Sequence, residues 1–385
     1  MADSVNGPET KEFPEKMTLL LSCSLCIFLV LFCGELFREK YSLIPDTPMK
    51  VPPVIFAGFL IPLILTSTFR YGFIDTFAYK IMYQNACSWD YIDSSPWGVE
   101  RGWLIFLHIL NFFSKSPKLL FFLSALLING SVVFLISRYS GDPILSLLLY
   151  FSFSYLDTNN GIRQFSAAAI VLFAMALLLR CKKKNWVLFF IAVAAAAQFH
   201  CTAWICLPIA LAVSGKILNW KVLFAAATGI LLCIFTEYIS DFSGIFPGGF
   251  KYEHYIRMKN GMGLPRAIIT GFLPLLLLGF YFFRTGKAEN PPPEESAMLF
   301  NLLFLNSVFS LMGMQMQYWA RLQFYTAFSL YVFLPELTAA SLGNNRRNRI
   351  ARIITVFCAL IFFGVNLCKN WSYGTLEDFY WDTGL

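Results

Sequence analysis

Apolar residues run in long unbroken stretches along nearly the whole chain, with short polar or charged breaks between them. The runs lie near 17–34, 54–69, 119–136, 144–157, 164–180, 185–199, 202–214, 221–236, 267–283, 297–313, 322–340 and 353–370. Neither a strict two-residue alternation nor a helical stripe interrupts them. A membrane helix needs about 20 apolar residues, whereas a barrel strand shows about 10 alternating ones. The pattern therefore predicts about 12 transmembrane helices in a single all-α, polytopic membrane domain over 1–385. Only helices and closed barrels satisfy backbone polar groups in lipid. Several runs are short or close together. The stretch Gly102–Phe113 is apolar but too short to span, which predicts a re-entrant or interface-lying helix inside an otherwise polar loop, 70–118.

Composition agrees with the pattern. The chain is 57% hydrophobic and only 14% charged, with 41 Phe among its 385 residues. Soluble domains carry about 25% charged residues. The formal net charge of +7 does not point to nucleic acid. Its clearest basic runs, Lys182–Lys184 and Arg346–Arg349, flank apolar stretches, where they read as positive-inside anchors. The polar segment Met1–Lys16 leads into an apolar stretch without an Ala-x-Ala-like cleavage site, which predicts an uncleaved span. Cysteines lie mostly inside apolar runs and behave there as small hydrophobes. Cys23 and Cys26 spell a CxxC without nearby His or acid, so no redox or metal role is expected.

Lys and Arg in short loops set the sidedness. Arg138, Arg180–Lys184, Lys216 with Lys221, Arg284 with Lys287, and Arg346–Arg352 fall on one face, taken as cytoplasmic. The other face then collects 70–118, Asn159–Arg163, His200, a loop over 237–266 and Gln315–Arg321. That loop is rich in Lys251, Arg257, Lys259 and Arg266. Two readings of it stay open: long loops cross regardless of charge, or the basic residues clamp a bound anion.

Six ionisable residues of this face stand at the ends of apolar runs: Arg70, Asp75, Glu100, Arg163, His200 and Arg321. An Arg at a helix end is commonly a snorkelling anchor. Arg70 also has Asp75 close behind it as a candidate partner. Arg163 opens a span, where both the helix dipole and the inside-positive bias oppose a cation. Helix-start amides with a guanidinium suit a diphosphate. Glu100 precedes the short apolar helix, and partial desolvation there would raise its pKa, as a general base requires. Gly102 allows close backbone approach. His200 reads equally as a hydrogen-bonded packing residue. Three His without a carboxylate cluster predict no metal centre. No P-loop, HExxH, GxSxG or dinucleotide fingerprint occurs, so no cofactor is expected.

Taken in order, these segments resemble the EpsG-like branch of the Wzy-type polysaccharide polymerases. The shared units are Arg70, Gly72, Asp75 and Tyr79; Glu100 with Gly102; Ile162, Arg163, Gln164 and Ala167; Phe199, His200 and Ala203; and Arg321 with Tyr325. Arg101 stands where such proteins often have Pro. The resemblance covers about residues 17–370. It implies a GT-C-like, metal-independent glycosyltransferase at the outer face of a bacterial inner membrane. Such an enzyme joins repeat units carried on polyprenyl diphosphate, as donor and acceptor, within the bilayer and beside a chain-length regulator. Asp75, Glu100 and His200 are then the candidates for the base. Arg70, Arg163, Gln164, Arg321, Tyr325, Lys251 and Arg257 would hold the diphosphate or glycan. A flippase for lipid-linked sugar and a membrane O-acyltransferase or ligase are the alternatives.

Overall fold

The computed structural model describes residues 22–34, 51–70, 73, 75–94, 98–179, 185–235, 261, 263–285, 294–342 and 345–373. These are helical throughout, with no strand among them. Lys251 and Arg257 lie outside the described residues, as do Gly72 and most of the 237–266 loop.

Every expected apolar run contains a helix. In chain order these are α1 (Ser22–Gly34), α2 (Pro53–Thr68), α3 (Thr76–Asn85), α4 (Trp89–Ser94), α5 (Arg101–Phe113), α6 (Lys118–Tyr139) and α7 (Pro143–Tyr150). There follow α8 (Ile162–Leu178), α9 (Asn185–Ala197), α10 (Cys206–Val213), α11 (Trp220–Ile234), α12 (Leu273–Thr285), α13 (Glu294–Met312), α14 (Phe328–Leu342) and α15 (Asn345–Tyr373). Among the described residues, three helical stretches are long and apolar enough to cross a membrane: Lys118–Tyr139, Glu294–Met312, and Leu264–Phe283, in which a short turn and a π-helical segment lead into α12. Shorter apolar stretches of 10–17 residues include Pro53–Thr68, Ile162–Leu178 and Arg352–Leu367. Local chemistry sets several starts. Asp142 caps α7 through the Leu145 amide (3.2 Å), with Pro143 in the first turn. Asn219 accepts from the Lys221 and Val222 amides at the head of α11.

Segment 70–118 differs from expectation, for it holds three helices where one was expected. Hydropathy hides α3 and α4 because they bury aromatic and isolated aliphatic positions, Tyr79, Tyr83 and Ile92, between polar ones. These pack with Trp103, Leu104 and Leu107 of α5 into a core separate from the main one. At about 1.5 Å per residue, the 13 residues of α5 are about 20 Å long, short of a bilayer's apolar core.

Among the described residues, long-range contacts gather the polar helix ends into two groups. Arg352 binds Asp142 with two nitrogens (2.8 and 3.2 Å), close in sequence to Arg138. Asn301 donates to the Val213 and Lys216 carbonyls (both 3.0 Å). At the other end, 70, 100, 157–164, 200–202, 266 and 321 are tied to one another. A charge also occurs inside an expected span: Glu336 lies in α14, beside Gly141.

Candidate functional site

The site starts where the helix after α7 ends. A π-helical segment, Phe151–Tyr155, and one last turn, Leu156–Thr158, deliver the polar bend Asn159–Gly161. Arg163 follows as the second residue of α8, where the helix dipole disfavours a cation. A carboxylate compensates. Arg163 Nη1 donates to Glu100 Oε2 at 2.7 Å, both side chains being mostly buried. The Arg163 amide donates to the Tyr79 hydroxyl at 3.3 Å.

Glu100 occupies the N-cap position of α5 but makes no capping bond to its own helix. Its other oxygen accepts the Cys201 amide at 3.0 Å. Gly102 makes this possible: a Cβ there would stand 2.4 Å from Gln198 Cβ and 2.9 Å from the Gln198 carbonyl oxygen. Only glycine lets α5 approach the end of α9 so closely, as the sequence suggested.

His200 is extended and begins the 3-10 turn Cys201–Ile205. Its Nδ1 accepts from the Thr202 amide (3.3 Å), which leaves the ring proton on Nε2. Thr202 Oγ1 lies 2.7 Å from the same nitrogen and 2.8 Å from the Tyr325 hydroxyl. Gln164 Nε2 ties this chain to the late segment, donating to Thr202 Oγ1 (3.4 Å) and to the Arg321 carbonyl (3.3 Å).

Arg70 and Asp75 complete the cluster. Arg70 is buried, its guanidinium 3.8 Å over the Phe121 ring, and Nη1 donates to the Asn159 carbonyl at 2.8 Å. The expected Arg70–Asp75 pairing is therefore not how Arg70 is held. Its Nε and Nη2 find no hydrogen-bond partner among the described residues. Burial pulls its pKa down to about 9, which leaves it charged at neutral pH. Asp75 is the N-cap residue of α3 without a capping bond. Burial pushes its carboxyl above the usual aspartate value and outweighs the attraction of Arg321, Arg70 and Arg163.

Glu100 goes the other way, against expectation. Burial would raise its pKa, but Arg163, the Cys201 and Glu100 amides and His200 together hold it below the ordinary value. A carboxylate engaged on both oxygens is a poor proton acceptor. Of the two acids, Asp75 has the basicity that a base needs, and its carboxylate makes no capping bond to its own helix.

The described site residues named from sequence thus come together: Arg70, Asp75, Glu100, Arg163, Gln164, His200, Arg321 and Tyr325. Sequence reasoning missed Asn159 and Thr202 as partners. Thr202 is a lone hydroxyl two residues past His200, and Asn159 sits in a polar Asn-Asn-Gly bend; both are weak signals. It also missed Asp157, ion-paired with Arg266. Beneath the site, a cavity of about 20 Å³ is edged by Ser154, Thr158, Phe165, Phe324 and Tyr331. That is room for about one water.

Three guanidiniums face two carboxylates at one end of an apolar bundle, a net positive site suited to an anionic ligand. Fold and site together define a multi-pass membrane protein with a polar, cation-lined centre at one end of its helices. The chain belongs to the EpsG family, whose family model matches residues 54–376, and so to the EpsG-like, Wzy-type polymerases. Membership points to a membrane polysaccharide polymerase of glycosyltransferase type. No curated protein and no solved structure matches the chain significantly.

Proposed function

We propose that the protein polymerises oligosaccharide repeat units carried on polyprenyl diphosphate. The site faces the outer leaflet of a bacterial inner membrane, and α5 lies at that interface without crossing. The observation that carries this reading is the convergence of Arg70, Arg163 and Arg321 on Asp75 in a chain of the EpsG family.

The chemistry follows from the groups. Breaking the bond between the donor sugar C1 and its diphosphate builds oxocarbenium character on the sugar and negative charge on the leaving group. Arg70, Arg163 and Arg321 stabilise that charge, and the two idle nitrogens of Arg70 are donors waiting for an acceptor. Asp75 takes the proton from the attacking acceptor hydroxyl. Glu100 acts through Arg163, which it orients. His200, with its proton on Nε2, donates a hydrogen bond to the glycan, and Gln164 and Tyr325 hold the wall around it.

The test is extension of a short polyprenyl-diphosphate glycan by purified protein, with product lengths resolved. Longer lipid-linked glycan and free polyprenyl diphosphate are expected from wild type and from neither Asp75→Asn nor Arg321→Ala. Movement of the substrate across vesicles without lengthening would identify a flippase instead. Acyl transfer without lengthening would identify an acyltransferase.

A further inference from the structure

Glu100, His200 and Cys201 each offer a ligand atom, and these atoms lie within 4.8 Å of one another. It is the one such grouping of three among the described residues. We propose that it is a binding site for a thiophilic divalent cation, Zn²⁺ above others, and that filling it inactivates the neighbouring guanidinium cluster.

The grouping is built by the fold. His200 and Cys201 are neighbours at the head of a 3-10 turn, while Glu100 reaches them across 100 residues through the Gly102–Gln198 contact. Thiolate, imidazole and carboxylate are all donors that zinc accepts, at about 2.0–2.3 Å from the ion. Mg²⁺ prefers oxygen donors and retains water, so a site containing sulfur and nitrogen selects against it. Three protein ligands leave a fourth position for water.

The support around the donors fits. With Nε2 on the metal, the ring proton moves to Nδ1, which gives up the 3.3 Å bond from the Thr202 amide and donates instead to Thr202 Oγ1 at 2.7 Å. Tyr325 in turn fixes that hydroxyl at 2.8 Å. Such outer partners set the tautomer of metal-binding histidines. Cys201 loses its thiol proton to solvent as Sγ binds; no electron moves.

Binding and the present arrangement compete for Glu100, whose Oε2 now holds Arg163. A cation on that carboxylate expels the guanidinium, and the other carboxylate within its electrostatic reach is Asp75. Arg163 then engages Asp75, so base and anion seat are lost together. The site is inhibitory.

Binding is measured on the purified full chain without any glycan. One equivalent of Cd²⁺ should produce the ultraviolet thiolate-to-cadmium band, Zn²⁺ should displace it, and Mg²⁺ should not. The band should vanish in Cys201→Ser and persist in Cys87→Ser, an exposed cysteine elsewhere. In unmutated protein, Zn²⁺ should slow alkylation of Cys201 by at least tenfold, read by mass spectrometry, which avoids reliance on a folded variant. A band that survives Cys201→Ser, or an alkylation rate unchanged by Zn²⁺, overturns the site. Inhibition rests on the polymerase reading. If binding holds and chain extension proceeds undiminished with Zn²⁺ bound, the inhibitory half is overturned. If no extension occurs without metal either, the polymerase reading fails and the binding result stands.

Discussion

Arg163 and Glu100, 63 residues apart, form an ion pair at 2.7 Å in which the carboxylate's second oxygen takes a backbone amide. A general base should not be so fully engaged, and a cation at a helix start needs such a partner. The pair therefore reads as the frame that aims a guanidinium.

Removing one member should cost more than neutralising the other gently. Breaking a buried ion pair from one side costs about 3–5 kcal/mol. Both side chains retain some exposure (19% and 11%), so Arg163→Ala should fall at or below the low end of that range. Glu100→Gln should cost less, because its amide oxygen can still accept the Cys201 amide. Thermal unfolding in detergent gives the order. Chain extension should drop at least tenfold in both.

The two acids should leave opposite marks on pH dependence. Asp75 is raised in the folded protein, so the folded state binds its proton more tightly than the unfolded chain does. Its contribution is fully present below the unfolded aspartate value of about 3.9 and is lost as pH rises through the higher folded value. Glu100 is lowered, so its contribution is present above the unfolded glutamate value of about 4.3 and is lost as pH falls through the folded one. If Asp75 is the base, activity should have an acidic limb above pH 4, where about half of an ordinary aspartate is already ionised. Glu100→Gln should preserve that limb on whatever activity remains. A limb that disappears with Glu100→Gln would reverse the assignment.

Gly102→Ala places a methyl group against Gln198 Cβ and, at 2.9 Å, the Gln198 carbonyl oxygen. The carbonyl cannot rotate away as a side chain would, so α5 and the end of α9 must separate. Overpacking of this kind costs about 1–3 kcal/mol. The separation should also pull Glu100 from Cys201. A lower melting temperature together with weakened chain extension is expected. A fully active variant would show that the α5–α9 approach does not hold the site.

Thr202→Val keeps the shape and removes the hydroxyl shared by His200, Tyr325 and Gln164. Leaving buried partners unsatisfied costs about 1–3 kcal/mol. Thr202→Ser should restore most of the loss, in both melting temperature and chain extension.

Arg352→Ala supplies the control. It breaks the pair with Asp142 at the opposite end of the bundle. Stability should fall while extension per folded molecule stays within about twofold. A loss of activity as large as that of Arg163→Ala would mean that the two ends are coupled.

Much of this was legible before any fold was known. Continuous apolar runs announce helices because no other open structure satisfies backbone groups in lipid. The charges that the sequence places at helix ends do pair there, Arg352 with Asp142 and Arg163 with Glu100. Helix lengths were less legible. Helix α9 stops at 13 residues, before His200 and the 3-10 turn Cys201–Ile205, although its apolar run reads on to 199. The aromatic helix α3 escaped notice because its apolar positions are too sparse to raise hydropathy.

By itself, the sequence determined that this is an apolar helical chain with acids and arginines gathered at one set of helix ends. Helix formation and the placing of charge at helix ends depend on local hydropathy and local charge, and both are written along the chain. Only the tertiary structure decided which acid faces which arginine. Glu100 and Asp75 look alike in sequence, each standing just before a short helix. Their surroundings separate them: Arg163 and the Cys201 amide claim one, while burial outweighs three nearby guanidiniums and leaves the other basic. Apart from Arg70, those partners lie tens of residues away or more, so the proton affinities of the two acids exist only once the helices have packed.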